Sequence, residues 1–397
     1  MSRKSEKYIT ERINIQKLIP GGQALGTLEN GKKIMLWGVL PGEIATKCQI
    51  TKDKSTYAEG IAVEIAQPSA NRSQPQDDCY LATSPWQIMQ YSYELAQKRE
   101  LLQEILRQQK IDTAEAEVAE VLTDGRDFYY RNKMEYALYY DNATQKIFPA
   151  FRARGSHRKI PVEQSSLERP EIWQRAQEII AELNSRGEEA RKYQALLLRA
   201  NQAGEVSGGL LENRQPHPHF SKLQDQILGQ TYSYSPNGFF QINLPVYEMV
   251  LQEIQQYIAT EKVLDLYAGV GTIGLSVARD KDLTLVECDK SAYRELEKNC
   301  ASTGARPILA KSEEALEYIA PDQTVIVDPP RAGCFPSVVE KFLQILPEKI
   351  IYLSCNPITQ ARDVAALLAK YRLVKIQPYN FFPRTPHLEN LMILERK

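Results

Sequence analysis

Cysteines are few and never paired along the sequence: Cys48, Cys79, Cys288, Cys300, Cys334 and Cys355 are scattered with no CxxC spacing, which argues against a disulfide framework and against a zinc site. Histidine is scarcer still. Of four in 397 residues, His217 and His219 share a proline-rich turn, so no metal site is expected. No apolar run approaches the length of a bilayer span, and the opening MSRKSEKYITER lacks the apolar core of a secretion signal. The expectation is a cytoplasmic chain with no membrane contact. An excess of one charge is missing too. With 49 Lys and Arg against 50 Asp and Glu, no overall field draws a polyanion, and such a partner must meet local patches. What is present is the 43% hydrophobic and 25% charged mix of a globular chain, over a length that suits two or three domains.

The stretch KIIYLSCNP, Lys349 to Pro357, reads as a buried strand stopped by Asn356-Pro357, because a residue before proline is biased toward extended geometry. Cys355 then stands at a strand's carboxyl end, the edge where open α/β sheets bind ligands. A buried structural thiol is the alternative reading.

Upstream, Ile9 to about Ala66 is a series of short alternating segments parted by glycine turns, the pattern of a small β-barrel. Its order, with GGQALG early, GVLPGE in the middle and AVEI at the end, resembles the TRAM domain, an OB-like barrel that binds RNA. PSANRSQPQDDCY, Pro68 to Tyr80, is a linker. Ser84-Pro85 opens a helix expected to run through Gln109, with Ile88, Tyr91, Leu95, Leu101, Ile105 and Leu106 on one face. Strands are expected at 118–121, 129–140, 147–152 and 194–200, with one helix at 170–186. FYYRNKMEYAL and FRARGSHRK mix aromatics or glycine with Arg131, Lys133, Arg152 and Arg154, a composition that suits phosphate and base contacts. A charged sheet edge that blocks aggregation explains them as well. Beyond Ser235 strands and helices alternate strictly, as in a doubly wound sheet.

DLYAGVGTIGL, Asp265 to Leu275, is a strand, a glycine turn (Gly269, Gly271, Gly274) and a helix start, and Glu287 ends the next strand where it can hold a ribose. That combination marks a nucleotide site without separating nicotinamide dinucleotide from S-adenosylmethionine. VDPPRAG, Val327 to Gly333, and an extra strand after the sixth favour the second, as in class I methyltransferases.

SPNGFFQIN (Ser235 to Asn243), DLYAGVGTIGL, VDPPRAG, LSCNP and TPHLENLMILER (Thr385 to Arg396), behind a TRAM-like barrel and YRNKME, together resemble the bacterial RNA uracil-C5 methyltransferases. The resemblance covers nearly the whole chain. It implies Cys355 as nucleophile and Glu389 as base, with Gln241, Tyr267, Gly269, Gly271, Thr272, Glu287 and Asp328 at the S-adenosylmethionine and uracil sites. It also implies base flipping, with Phe239 and Phe240 near the site or in the core. The residue types suit the chemistry: C5 of uracil becomes nucleophilic only after a thiolate adds to C6, and the C5 proton must then leave to a base. Alone, Glu389 would read as a surface carboxylate and Asp328 as a helix cap. One departure matters. Many relatives hold an iron-sulfur cluster on four cysteines, but here only Cys79 remains, and Gln164-Ser165-Ser166-Leu167 stands where the fourth is usual. No cluster is expected.

The expected architecture is a TRAM-like OB barrel (1–67), a central α+β RNA-recognition domain (68–232) whose helix 85–109 packs on its neighbour, and a Rossmann-like seven-stranded methyltransferase domain (233–397). The expected activity is uridine-C5 methylation of RNA by a monomer, with 23S ribosomal RNA favoured over transfer RNA because of the barrel. A nicotinamide-dependent oxidoreductase would explain the glycine turn but not DPPR or SCNP, and an RNA chaperone would need neither Cys355 nor Glu389.

Overall fold

The structure, a computed structural model, describes residues 7–114, 116–163, 165–187, 189–215 and 218–397; Gln164 and His217 fall outside them. In the first unit, β1 (Lys7–Ile9), β2 (Ile13–Leu18), β3 (Ala24–Thr27), β4 (Lys33–Trp37), β5 (Ile44–Asp53) and β6 (Tyr57–Gln67) form one sheet in the order β1-β5-β2-β3-β4-β6. Because β6 pairs with both β4 and β5, the sheet closes on itself. Period-two alternation sends Ile13, Ile15, Ile34, Leu36, Ala45 and Cys48 inward, where all are buried.

The linker that follows includes α1 (Tyr80–Thr83) and is tied down by buried hydrogen bonds. Asp77 accepts from Ser166 N (3.0 Å), Ser166 Oγ (2.8 Å) and Gln87 Nε2 (2.8 Å). Nearby, Glu168 accepts from Tyr136 and Ser165. Polar side chains thus knit this corner of the central unit. The helix expected over 85–109 is in fact a 3-10 turn at Pro85–Ile88, an extended Met89 and then α2 (Tyr91–Gln108). Leu102, Ile105 and Leu106 of α2 enter the core of the C-terminal sheet together with Val118 and Val121. The expected strand at 118–121 is not part of the central sheet. It runs beside the C-terminal sheet, where Val118 bridges Ile376 and Leu122 bridges Tyr379.

In the central unit β7 (Lys133–Asp141), β8 (Lys146–Arg152), β9 (Lys159–Pro161), β10 (Tyr193–Ala200) and β11 (Val206–Glu212) form an antiparallel sheet ordered β11-β10-β7-β8-β9. The helix α3 (Pro170–Ser185) starts with proline at its first position and buries Ile172, Ala176, Ile179, Ile180 and Leu183 against that sheet. Next, β12 (Leu223–Ile227) and β13 (Gln230–Tyr234) make a hairpin whose Tyr232 and Tyr234 join the core of the C-terminal unit rather than the central one.

The C-terminal unit runs α4 (Leu244–Gln255), β14 (Lys262–Leu266), α5 (Thr272–Val277), β15 (Asp282–Glu287), α6 (Lys290–Cys300), β16 (Arg306–Leu309), β17 (Gln323–Val327), α7 (Pro336–Ile345), β18 (Lys349–Ser354), α8 (Pro357–Leu367), β19 (Tyr371–Tyr379) and β20 (Glu389–Arg396). Its seven strands lie in the order β16-β15-β14-β17-β18-β20-β19, all parallel except β20. This is the expected doubly wound sheet, with a core on each face. The order reverses at β14, so the crevice at its carboxyl end is the natural ligand site. Among the described residues no helix is long and apolar enough to cross a membrane.

Asp77→Ala is expected to lower stability by about 3 kcal/mol, because it strands buried donors of Ser166 and Gln87. Urea unfolding of the two proteins checks this, and a loss under about 0.5 kcal/mol would mean that the corner does not depend on the network.

Candidate active site

Along the parallel strands, Leu266 lies opposite both Val286 and Val327, and Val327 lies opposite Tyr352. Tyr267, Glu287 and Asp328, the next residues, therefore leave the sheet at one level. β20 runs the other way. Its Asn390 pairs with Ser354 of β18, so in this antiparallel register the residue after Ser354 faces the residue before Asn390. That puts Cys355 and Glu389 side by side at the same edge. Asp328 stands between them and Tyr267, one strand from each side, and two strand spacings cover about 10 Å.

The glycine turn faces space. β14 ends in left-handed backbone at Tyr267 (φ 65°), followed by Gly269 (φ 59°) and Gly271 (φ 88°). A bulky residue in that region stores about 1–3 kcal/mol of strain, which is typically kept near functional sites. A Cβ on Gly271 would lie 2.6 Å from Leu296, whereas one on Gly269 would meet nothing within 4 Å. Glu287 braces the turn, accepting from Gly269 N at 2.8 Å and from Asp289 N at 2.6 Å. Thr272 is buried at the start of α5. Below it, Asp265 accepts from Gly274 N at 2.9 Å. Burial, aided by Asp328 and Glu287, raises the Asp265 carboxyl to about 8 despite that bond.

Gln241 is buried in a loop that the central unit holds in place. Its carbonyl accepts from Asn132 Nδ2 at 2.9 Å, and Arg199 Nη1 donates to Gly238 O at 3.0 Å while Nη2 bonds Phe240 O. Phe240 is buried, stacked on Tyr234 at 3.9 Å between ring centres, but Phe239 is 73% exposed. Lys133, one of the four basic residues suggested for RNA, reaches the carbonyls of Asn237 (3.3 Å) and Gly238 (3.2 Å) in the same loop. Arg131 Nε donates to Lys133 O, and Arg154 stacks 4.2 Å over Trp37 of the barrel while bonding Leu81 O. Arg152 is exposed at the end of β8.

Electrostatically the edge is crowded. Burial pushes the Cys355 thiol up to about 11, with Glu389 and Asp328 acting the same way and Arg331 opposing. Burial raises Asp328 to about 7. Glu389 is raised well above the usual carboxylate range by burial and by Asp328, again against Arg331. A cavity of about 220 Å³ opens over Cys355. Arg331 and His387 line it from the catalytic unit, Lys98 from α2 and Gly21 from the barrel. Burial, with Arg331 and Lys98 nearby, drives His387 down to about 4, so its imidazole is neutral at pH 7.

Sequence reasoning missed Arg331, His387 and Lys98. Arg331 was legible as the cation in VDPPRAG. Lys98, four residues after Glu94 on α2, was hidden because only the apolar face of that helix was weighed.

The family model for tRNA (uracil-5-)-methyltransferases matches residues 315–397, the stretch that includes Asp328, Cys355 and Glu389. The chain is similar there to RNA (uracil-C5) methyltransferases. Over 97% of its length it is 26% identical to a curated protein of Thermosynechococcus vestitus described as an uncharacterized RNA methyltransferase, of which 98% is covered. Another of the same description from Staphylococcus epidermidis is 37% identical over 188 residues, 44% of this chain and 41% of that one. Among solved structures, a Pyrococcus abyssi tRNA (uracil-54, C5)-methyltransferase in complex with S-adenosyl-L-homocysteine superimposes with a TM-score of 0.75 at 24% identity, covering 96% of this chain and all of that one. The fold is thus shared along nearly the whole chain.

Because a thiol raised to about 11 reacts only as its thiolate, iodoacetamide at pH 8 is expected to modify exposed Cys288 before Cys355. Labelling of Cys355 should keep rising as pH climbs toward 11, and Arg331→Gln should move that rise to still higher pH, since it removes the opposing cation. Peptide mass spectrometry across a pH series reads both, and full labelling of Cys355 at pH 7 contradicts the assignment.

Proposed function

We propose that the chain methylates C5 of a uridine in RNA, with Cys355 and Glu389 as the groups that touch the base. The observation that carries this reading is the register opposing those two residues across β18 and β20, one strand from Asp328. The Cys355 thiol gives up its proton to solvent, its thiolate Sγ adds to C6 of uracil, and the electron pair of the C5–C6 bond moves to the enolate formed across C5 and O4. S-adenosylmethionine, when bound, supplies an electrophilic methyl group for C5. Glu389 then takes the C5 proton, and the returning electron pair expels the Cys355 thiolate and restores the C5–C6 double bond. The burial that raises Glu389 also makes it a strong base once it is ionised. Arg331 is the charge that favours ionisation of Cys355. A neutral His387 leaves Arg331 as the cation of the cavity wall that suits phosphate beside a flipped nucleotide.

A Cβ on Gly269 would meet nothing within 4 Å, so a donor can approach the turn there, and Glu287 retains lone pairs for ribose hydroxyls after its two backbone bonds. Tyr267, Gly271, Thr272, Asp328 and Gln241 complete that side. Ribosomal RNA as substrate, with the barrel and Arg152 as contacts, rests on the TRAM-like N-terminal unit. Transfer RNA is the second reading, favoured by the archaeal tRNA enzyme that matches along its whole length, barrel included. Mapping 5-methyluridine in both RNAs of a deletion strain separates the two.

Cys355→Ala is expected to lose roughly 10⁴-fold or more in turnover while still binding RNA. Glu389→Gln should transfer the methyl group yet fail to release product. A denaturing gel with labelled RNA should then show a slow covalent band for Glu389→Gln and none for Cys355→Ala. Appreciable turnover by Cys355→Ala sinks the covalent mechanism.

S-adenosylhomocysteine should bind in calorimetry and NADH should not, with Glu287→Gln weakening the former about tenfold through the lost charge-assisted bond. Tight NADH binding would transfer the case to an oxidoreductase.

A further inference from the structure

Three charged side chains outside the proposed chemistry are almost fully buried around the segment that leads into β20. Glu94 is 0% exposed, Lys98 1% and Arg384 7%. Their bonds converge on residues 380–384. Lys98 Nζ donates to Asn380 Oδ1 (2.6 Å) and Phe382 O (3.1 Å) and pairs with Glu94 at 2.9 Å. Glu94 accepts from Arg384 N with both oxygens (3.1 and 3.0 Å) and from Asn380 Nδ2 (3.2 Å). Arg384 is itself left-handed (φ 64°), a conformation that costs an arginine strain unless its surroundings enforce it. Its guanidinium bonds Met89 O at 2.6 Å and pairs with Asp127, and its carbonyl accepts from Trp86 N at 3.0 Å.

A buried ion pair is a poor device for stability alone, because apolar residues of similar volume do as well or better. This one spends its hydrogen bonds on the backbone and the Asn380 side chain of a loop, and that loop ends in His387, Leu388 and Glu389. Lys98 also forms part of the wall of the cavity over Cys355.

We propose that Glu94 and Lys98 of α2 are positioning residues for the reaction: they clamp 380–384 so that Glu389 meets the C5 proton, while the addition of Cys355, carried on a separate strand end, does not depend on them. This rests on the covalent reading of the site given above. A misplacement of the base by about 1 Å is enough to cost roughly 100-fold in rate.

The experiment uses the full chain with Glu94→Gln/Lys98→Met, which removes both charges together and so leaves neither buried alone. Labelled RNA carrying uridine or 5-fluorouridine is run on a denaturing gel beside steady-state turnover. The fluorinated base traps the adduct because fluorine cannot leave as a proton. The expected result is a turnover number lowered about 100-fold with the KM for RNA within about threefold, wild-type trapping of 5-fluorouridine RNA, and a new slow band on ordinary RNA in the presence of S-adenosylmethionine. Wild-type turnover, or a 5-fluorouridine adduct lost in parallel with turnover, overturns the clamp. Should the double variant fail to fold, Asn380→Ser breaks the bonds from Lys98 and to Glu94 that Asn380 makes, without touching a charge, and is read by the same bands. If the wild-type protein itself forms no adduct with 5-fluorouridine RNA, the covalent reading fails, and the clamp with it.

Discussion

The structure depends on one antiparallel strand in an otherwise parallel sheet. Only because β20 is inserted between β18 and β19, running against both, does the start of one strand meet the end of another at the ligand edge. A parallel seventh strand would deliver its carboxyl end there instead and leave Glu389 at the far edge of the sheet. The pairing is also pinned by side chains. Gln360 of α8 donates to both Tyr352 O (2.8 Å) and Asn390 O (2.9 Å) and accepts from Asn390 Nδ2 (2.7 Å). A one-residue slip would turn every side chain of β20 to the opposite face, and with both faces of this strand buried such a slip has no low-energy form.

Crowding two carboxylates and a thiol into that buried edge costs free energy, and the opposing charge comes from Arg331. Its backbone is fixed independently of its charge, since its carbonyl accepts from Asn356 Nδ2 (2.8 Å) and Thr359 Oγ1 (3.1 Å) just past Cys355. The DPPR and SCNP segments therefore hold each other. Removing the guanidinium would leave Cys355, Asp328 and Glu389 to raise one another without relief.

Much of this was legible from residue order. Strand ends and glycine turns are local signals, so Cys355, Asp328 and the turn at Gly269 and Gly271 could be placed at a sheet edge without coordinates. Glu389 was different: nothing local separates it from a surface carboxylate, and only the resemblance singled it out. What the residues could not reveal was long-range partnership. α2 lies far before the catalytic strands in sequence, yet its Leu102 and Ile105 enter their core and its Lys98 reaches Asn380. The stretch 118–121, read as part of the central sheet, lies beside β19 because alternation identifies a strand without naming its neighbour. The break at Met89 was missed because an apolar stripe continues through it, and the bond from Arg384 to Met89 O that uses the freed carbonyl comes from the other end of the chain.

The loop before β20 shows why three units form one catalyst. Residues 380–386 receive hydrogen bonds or contacts from α2, from Trp86 and from Tyr130, whose hydroxyl donates to Pro383 O at 3.1 Å. The barrel adds its own contact. Trp86 Nε1 donates to Gly22 O at 3.0 Å, and a Cβ on Gly22 (φ 92°) would lie 2.2 Å from Cβ of Pro386. Only glycine lets the barrel turn approach so closely. A C-terminal unit standing alone would keep its sheet and its glycine turn, because those bonds are internal to it. It would lose the partners of Asn380, the acceptor for Arg384 N and the wall that Pro386 rests on. The nucleotide half of the site therefore belongs to the sheet, whereas the position of Glu389 is a property of the whole chain.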